Sequence, residues 1–186
     1  MNDKRIAERE TVPERQQTAY HEAGHAAMAF HEDRLVENIS IRPEGRSAGV
    51  TTLAPLLAKD QFSESDQRLK LVRTEVMILF AGGLAQLFHV QRSTPSIDDE
   101  QTLAATMEGA EGDMEQLDRL YSLARIDKAS WLTLIKDCHD AVLHTLLEEK
   151  FTDAIRCLAE SLLARDVLSG EEAHQIYLAN VSPTGS

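Results

Sequence analysis

The chain contains few cysteine and aromatic residues, and each shortage narrows the class of protein. Only two of the 186 residues are cysteine, and 5% are aromatic. Two isolated cysteines cannot build a disulfide framework, so we expect reduced thiols and a cytoplasmic location. A core without many aromatic rings must consist mainly of Leu, Ala, Ile and Val, as in helical domains. A thiol nucleophile made by Cys138 with the adjacent His139 remains an alternative.

Positive charge and uninterrupted apolar runs are also scarce. Lys and Arg number 19 against 31 acidic residues, which gives a net charge of −12 and argues against nucleic acid as a partner. The N-terminal residues are highly charged and show no apolar signal region. The most apolar run, Leu69 to Val90, contains three charged residues and therefore predicts a core helix, not a membrane segment. No GxxxxGK[ST] loop occurs, so the sequence shows no ATPase motif of that type.

Periodicity predicts a mainly α fold (α+β) with one small β-hairpin. A capping pattern at Thr11-Val-Pro-Glu14 predicts a helix from Val12 to Asp33. Alternating residues on both sides of a Pro/Gly turn predict the hairpin, within residues 36–53. Further helices are predicted at Ser65–Phe88, Glu115–Arg125, Ser130–Leu147 and Phe151–Ala164. A capping box at Ser169 predicts the start of a last short helix, and residues Gln91–Asp99 are predicted to form a loop. We place the domain at residues 13–180, an N-terminal extension at 1–12 and a flexible tail at 181–186.

The stretch His21-Glu-Ala-Gly-His25 carries the strongest chemical signal. Residues four apart lie on one face of a helix, so both imidazoles can bind a single zinc ion and leave room for a third ligand and a water. Glu22 can reach that water and act as its general base. Small residues around the pair allow a neighbouring element to approach closely. The pattern therefore predicts a hydrolytic zinc site.

The third ligand is harder to choose from the residues alone. His31 follows His21 at the metzincin spacing, but Met28 stands where that motif needs a glycine. On a continuous helix His31 lies about 9 Å beyond His25 and on another face, so we expect it to interact with the helix C-terminus instead. The acidic segment Glu108–Asp113 offers several carboxylates, and spacing does not select one of them.

Several segments, in the same order, resemble the peptidase domain of the FtsH-type AAA+ zinc proteases. Together they cover residues 13–178, nearly the whole chain. The matching segments are Ala19–Ala26 (AYHEAGHA), Ile39–Thr51 (ISIRPEGRSAGVT), Ala81–Ala85 (AGGLA), Gly109–Glu115 (GAEGDME) and Leu158–Glu172. The resemblance implies a helical, zincin-like metallopeptidase domain that binds Zn²⁺. His21 and His25 would be zinc ligands, Glu22 the general base and Asp113 the third protein ligand.

The same resemblance implies how substrate binds and what partners act with the domain. Ala48, Gly49, Val50 and Thr51 correspond to the family's edge strand, which takes up extended substrate by main-chain pairing. We therefore expect a zinc metalloendopeptidase that cleaves unfolded or extended polypeptides. The family's peptidase domains form hexameric rings, which makes a homo-oligomer an expectation as well. A separate ATPase partner would be needed to deliver structured substrates.

The sequence departs from the family beside the expected site. Leu84 replaces an arginine, Leu87 and Phe88 replace an acidic pair, and Gly112 replaces an asparagine. We expect the residues that orient the metal ligands to differ accordingly. These departures keep open a non-cleaving, zinc-containing peptide-binding or adaptor module derived from the peptidase. A purely structural helical domain without metal is the other alternative.

Overall fold

The computed structural model of the protein describes residues 12–44, 48–55, 65–93 and 111–182. These residues form six helices and three strands. In chain order the elements are α1 (Glu14–His31), β1 (Val36–Ser40), β2 (Val50–Leu53), α2 (Ser65–Ser93), α3 (Glu111–Ala124), α4 (Lys128–Leu146), α5 (Glu149–Arg165), β3 (Val167–Ser169) and α6 (Gly170–Val181). The prediction of a mainly α fold with a small sheet is confirmed.

Helix α1 is shorter than predicted at both ends. Pro13 is its N-cap, with an extended ψ of 137° and no side-chain capping bond. Thr11, the predicted cap, lies outside the described residues. The helix ends at His31, two residues before Asp33, whose φ of 56° cannot continue a right-handed helix. Glu14 therefore begins the helix and does not close a capping box.

The predicted hairpin is present, and a third strand that the sequence did not indicate joins it. Strand β1 pairs antiparallel with β2, with Ile39 opposite Thr51. On its other side β1 pairs antiparallel with β3, with Ile39 opposite Leu168. The strand order β2-β1-β3 makes β2 an edge strand within the described part of the chain. Three residues are too few to show a strand period, which is why β3 escaped prediction.

Helix α2 is the central helix of the core. It runs without a break past Gly82 and through Ser93, so the predicted end at Phe88 is wrong, as is a loop beginning at Gln91. The rest of the predicted loop lies outside the described residues. Although α2 is long and apolar enough to cross a membrane, 56% of its most apolar window is buried inside the protein. Its buried side packs against α1 and α4.

Close packing of α1 on α2 depends on small residues. A methyl group added at Gly24 would lie 2.4 Å from the carbonyl oxygen of Ala81, so only glycine fits there. Ala23, Ala26 and Ala27 on α1 are completely buried. The short distance between the helices brings His25 of α1 directly against the backbone of α2.

The C-terminal half agrees closely with the predicted helices. The capping box at Ser169 is confirmed, since its hydroxyl accepts from the backbone N–H of Glu172 and the Glu172 carboxylate accepts from the backbone N–H of Ser169. Helix α3 begins at Glu111, four residues earlier than predicted. This earlier start places Asp113 in the first turn of α3.

Candidate metal centre

The structure brings together three of the residues singled out from the sequence. His21 and His25 lie one turn apart on α1, and each is only 7% exposed. The Nε2 atoms of the two rings are 2.9 Å apart. Asp113 reaches them from α3, with its Oδ2 atom 3.2 Å from Nε2 of His21 and 3.5 Å from Nε2 of His25. Within the described residues these three form the group able to hold a metal ion.

A relay of side-chain amides fixes the orientation of His21. The Gln17 amide donates to the carbonyl oxygen of Val12 over 2.8 Å, and the Gln86 amide donates to Oε1 of Gln17 over 3.1 Å. The Oε1 atom of Gln86 is then left facing Nδ1 of His21 at 3.0 Å. Because a backbone carbonyl can only accept, this chain of bonds has one direction and makes Nδ1 the donor. We call Val12, Gln17 and Gln86 the amide relay.

His25 is held in the same tautomer by the backbone of α2. Its Nδ1 atom lies 2.8 Å from the carbonyl oxygen of Ile78, which requires a proton on Nδ1. When both rings are neutral, both Nε2 atoms then carry free lone pairs, which face each other and the carboxylate of Asp113. Three electron-rich atoms cannot share so small a space unless a cation lies among them. Two imidazoles and a carboxylate are a donor set that suits zinc.

The electrostatics of His25 and Asp113 agree with this need for a positive charge. Burial alone would lower the pKa of His25, but the adjacent Asp113 carboxylate, with a smaller contribution from Glu22 and the Ile78 carbonyl, raises its pKa to about 9. Burial by itself would raise the pKa of Asp113, yet the two histidines hold it well below its ordinary range. In the metal-free protein a proton on His25 therefore takes the place that a metal cation would fill.

Glu22 lies between the histidines on α1 and contacts strand β2. It is 5% exposed, and its Oε2 atom accepts a hydrogen bond of 2.7 Å from the hydroxyl of Thr51. Gly49 is buried against the same side chain, since an added methyl group would lie 2.9 Å from Cγ and Oε1 of Glu22. The other two predicted strand residues, Ala48 and Val50, are exposed. The segment predicted to bind substrate thus has one face on Glu22 and one in solvent.

Gly82 is the reason that His25 can lie so close to α2. An added Cβ at this position would be 2.4 Å from both Cε1 and Nε2 of the His25 ring. The imidazole of His25 thus packs directly against Gly82 of α2.

The four residues that depart from the family carry no side-chain hydrogen-bond donor or acceptor. Leu84 and Phe88 are partly buried and pack against the core. Leu87 is half-buried, and Gly112 is exposed with open space around its Cβ position. The acceptor for His21 comes instead from Gln86, which sequence reasoning missed. The signal was available, because Gln86 lies one turn after Gly82 and is the amide on the buried face of an apolar helix.

The alternatives raised for other residues are not supported by their surroundings. His31 is the last residue of α1, away from His21 and His25. Its ring packs edge-on against the ring of Phe151, with 5.6 Å between the ring centroids. Cys138 and Cys157 are both free thiols. Burial raises the pKa of the Cys138 thiol to about 11, which disfavours the thiolate that a nucleophile needs.

A mainly helical fold that places two histidines, a glutamate and an aspartate together defines a metalloprotease-type domain. Comparison with known proteins agrees, because the profile of Peptidase family M41 matches residues 9–121, more than half of the chain. The chain belongs to Peptidase family M41, and the resemblance to FtsH-type peptidase domains is confirmed.

The similar curated proteins are all much longer than this chain. ATP-dependent zinc metalloprotease FtsH 2 of Sphaerobacter thermophilus is 30% identical over 92% of the chain, which spans 27% of that protein. FtsH of Opitutus terrae is 28% identical over 87% of the chain and 26% of its own length. FtsH 1 of Rhodopirellula baltica is 33% identical over 67% of the chain and 16% of its own length. The chain thus spans about a quarter or less of these relatives.

Proposed function

We propose that the protein is a zinc metalloendopeptidase domain that cleaves unfolded or extended polypeptides. The convergence of His21, His25 and Asp113 on one point, within a fold of Peptidase family M41, carries the proposal. The relatives named as zinc metalloproteases support zinc as the metal. Both imidazoles already present Nε2, and both Nδ1 atoms are held by acceptors, as ligands of a tightly bound metal require.

The catalytic steps follow from the positions of the chain's own groups. Bound zinc would supply Lewis acidity, which activates water and polarises a peptide carbonyl. His21, His25 and Asp113 would hold the ion. Glu22 would accept the proton of the attacking water and afterwards deliver it to the nitrogen of the departing peptide. Because Glu22 is almost fully buried, its carboxylate is directed by neighbouring atoms and not by bulk water.

Substrate binding is proposed at the edge of the sheet. Strand β2 pairs with β1 on one side, and within the described residues its other side is unpaired. An extended peptide can add to such an edge through main-chain hydrogen bonds, which places few demands on its sequence. A folded substrate offers no extended segment, so we propose that a separate ATPase delivers structured proteins. A homo-oligomer and a cytoplasmic location complete the proposal.

Three variants test the function when zinc content and cleavage of a chemically unfolded protein are measured together. We expect about one zinc per chain and cleavage in the unaltered protein. Glu22→Gln should keep the zinc and lose roughly 10²- to 10⁴-fold in rate, the usual contribution of a general base. Asp113→Ala should lose zinc and activity, whereas Asp118→Ala, an exposed position on the same helix, should keep both.

The outcomes separate the proposal from its rivals. Cleavage that survives Glu22→Gln would refute the mechanism. Zinc binding without any cleavage by the unaltered protein would favour the non-cleaving peptide-binding module. If added zinc neither binds nor raises the melting temperature, the domain is a structural one, because a metal that binds only the folded state must stabilise it.

A further inference from the structure

We propose that Thr51 is a positioning residue that aims the carboxylate of Glu22. This inference rests on the proposed function, because it concerns the group assigned there as general base. The contact joins a side chain of strand β2 to the metal-binding helix α1. It gives β2 a second task beside the proposed binding of substrate.

The hydroxyl of Thr51 has two acceptors on the same residue. Its Oγ1 atom lies 2.7 Å from Oε2 of Glu22 and 3.0 Å from the backbone oxygen of Glu22. A hydroxyl has one proton to donate, and an ionised carboxylate is the stronger acceptor of the two. The shorter contact is therefore the one that receives the proton. This bond fixes the position of Oε2 against the hydroxyl of Thr51.

Gly49 limits the same side chain by contact. A Cβ at this position would lie 2.9 Å from Cγ and from Oε1 of Glu22, so no side chain fits between residue 49 and the glutamate. Gly49 directly precedes β2 and lies two residues before Thr51, and both residues lie against the side chain of Glu22. Together they restrict the rotation of Glu22, one by contact and the other by a hydrogen bond.

The two roles proposed for β2 use groups that point in different directions. Side chains leave a strand perpendicular to the sheet, whereas the main-chain groups that pair with a neighbour lie within the plane of the sheet. A peptide bound at the edge would thus not compete for the hydroxyl of Thr51. One short strand would position both the substrate and the base, so their relative placement depends on few atoms.

Kinetics of three single variants test the inference. Thr51→Val keeps the shape of threonine and removes the hydroxyl. Losing a bond to a charged group predicts a fall in kcat of about 10- to 100-fold, with KM and zinc content unchanged. Thr51→Ser restores the donor and should return kcat to within a few-fold of the original. Thr145→Val is the matched control, since Thr145 is a buried threonine of α4 whose hydroxyl donates to the backbone oxygen of Ala141 and not to Glu22.

A measurement on the metal-free protein tests the contact without activity. Urea unfolding of Thr51→Val, Glu22→Met and the double variant forms a double-mutant cycle. We expect the two effects on the unfolding constant to differ from independence by about threefold or more, the usual sign of a direct contact. Thr145→Val combined with Glu22→Met should show independence.

Each result decides the inference. Independent effects of Thr51 and Glu22 on unfolding, or a kcat that Thr51→Val leaves unchanged, would overturn it. A loss of kcat that Thr51→Ser fails to restore would do the same, because it would indicate a role of shape alone. Coupled unfolding together with no cleavage by the unaltered protein would overturn the proposed function first, and the positioning role with it.

Discussion

Replacing Gln86 with methionine interrupts the amide relay at its centre. The Gln86 side chain is 5% exposed and bonds to Nδ1 of His21 on one side and to Gln17 on the other. Methionine has a similar length and is apolar, so it can fill the same space without offering an acceptor. His21 then has no partner for its Nδ1 proton, and its ring is free to carry the proton on Nε2 instead. That tautomer cannot bind a metal through Nε2.

The expected magnitude follows from one lost hydrogen bond in a buried place. A buried donor left without an acceptor costs about 1–3 kcal/mol. Loss of an acceptor that orients a metal-binding histidine usually weakens metal affinity by about 10- to 100-fold, which corresponds to about 1.4–2.8 kcal/mol. The two estimates agree, because both measure how strongly the acceptor favours the tautomer that binds metal. We expect zinc affinity to fall by this factor.

Competition with a chromophoric chelator measures the zinc dissociation constant of each variant. Gln86→Glu restores an acceptor and should bind zinc at least as tightly as the unaltered protein. Gln91→Met, an exposed position on the same helix, should change nothing. A Gln86→Met protein that binds zinc with unaltered affinity would refute the reasoning, since the relay would then not set the tautomer of His21.

Two further predictions concern space and protons at His25. Gly82→Ala places a methyl group against the His25 ring and should weaken zinc binding more than tenfold. Gly112→Ala, where an added methyl group meets no other atom, should leave the zinc affinity unchanged. Equal zinc affinities of these two variants in a chelator competition would contradict the prediction. The His25 pKa of about 9 lies above its ordinary value of 6.5, so the bound proton stabilises the metal-free fold fully below pH 6.5, and that contribution is lost as the pH rises through 9. The melting temperature of the metal-free protein should fall over this pH range. Zinc binding at pH 7 should release about one proton, so the heat measured by calorimetry should depend on the buffer. A heat that is independent of the buffer would contradict this proton release.

Much of the fold could be predicted because its helices are long and periodic. The predicted bounds of α4 and α5 lie within about two residues of the observed ones. The errors fall where local pattern is weak. Strand β3 has three residues and gains its structure only by pairing with β1. The end predicted for α2 at Phe88 is too early because the helix continues through the buried Val90 to the exposed Ser93.

Some residues of the candidate site could likewise be predicted from the sequence, and others could not. His21, Glu22 and His25 could be chosen from spacing along one helix, because helix geometry alone brings them together. Asp113 needed the family resemblance, since spacing could not choose among the acidic residues. The position of Gln86 on the buried face of α2 was visible in the sequence, but its bond to His21 depends on the packing of α2 against α1, where Gly24 and Gly82 allow close approach.

The pairing of β1 with β3 has a consequence for the order in which the protein is made. The residues proposed to hold zinc have all been synthesised once Asp113 has left the ribosome, but the strand and helices that brace α1 come much later. Asn38 of β1 cannot pair with β3 until Ser169, much later in the sequence, has been synthesised. Pairings between residues so distant in sequence form slowly. A nascent or truncated chain therefore carries the metal-binding residues without the scaffold that aligns them. The proposed capacity to cut polypeptides would arise only after β3 and α6 have docked, when the segment from α1 to α6 is no longer unfolded.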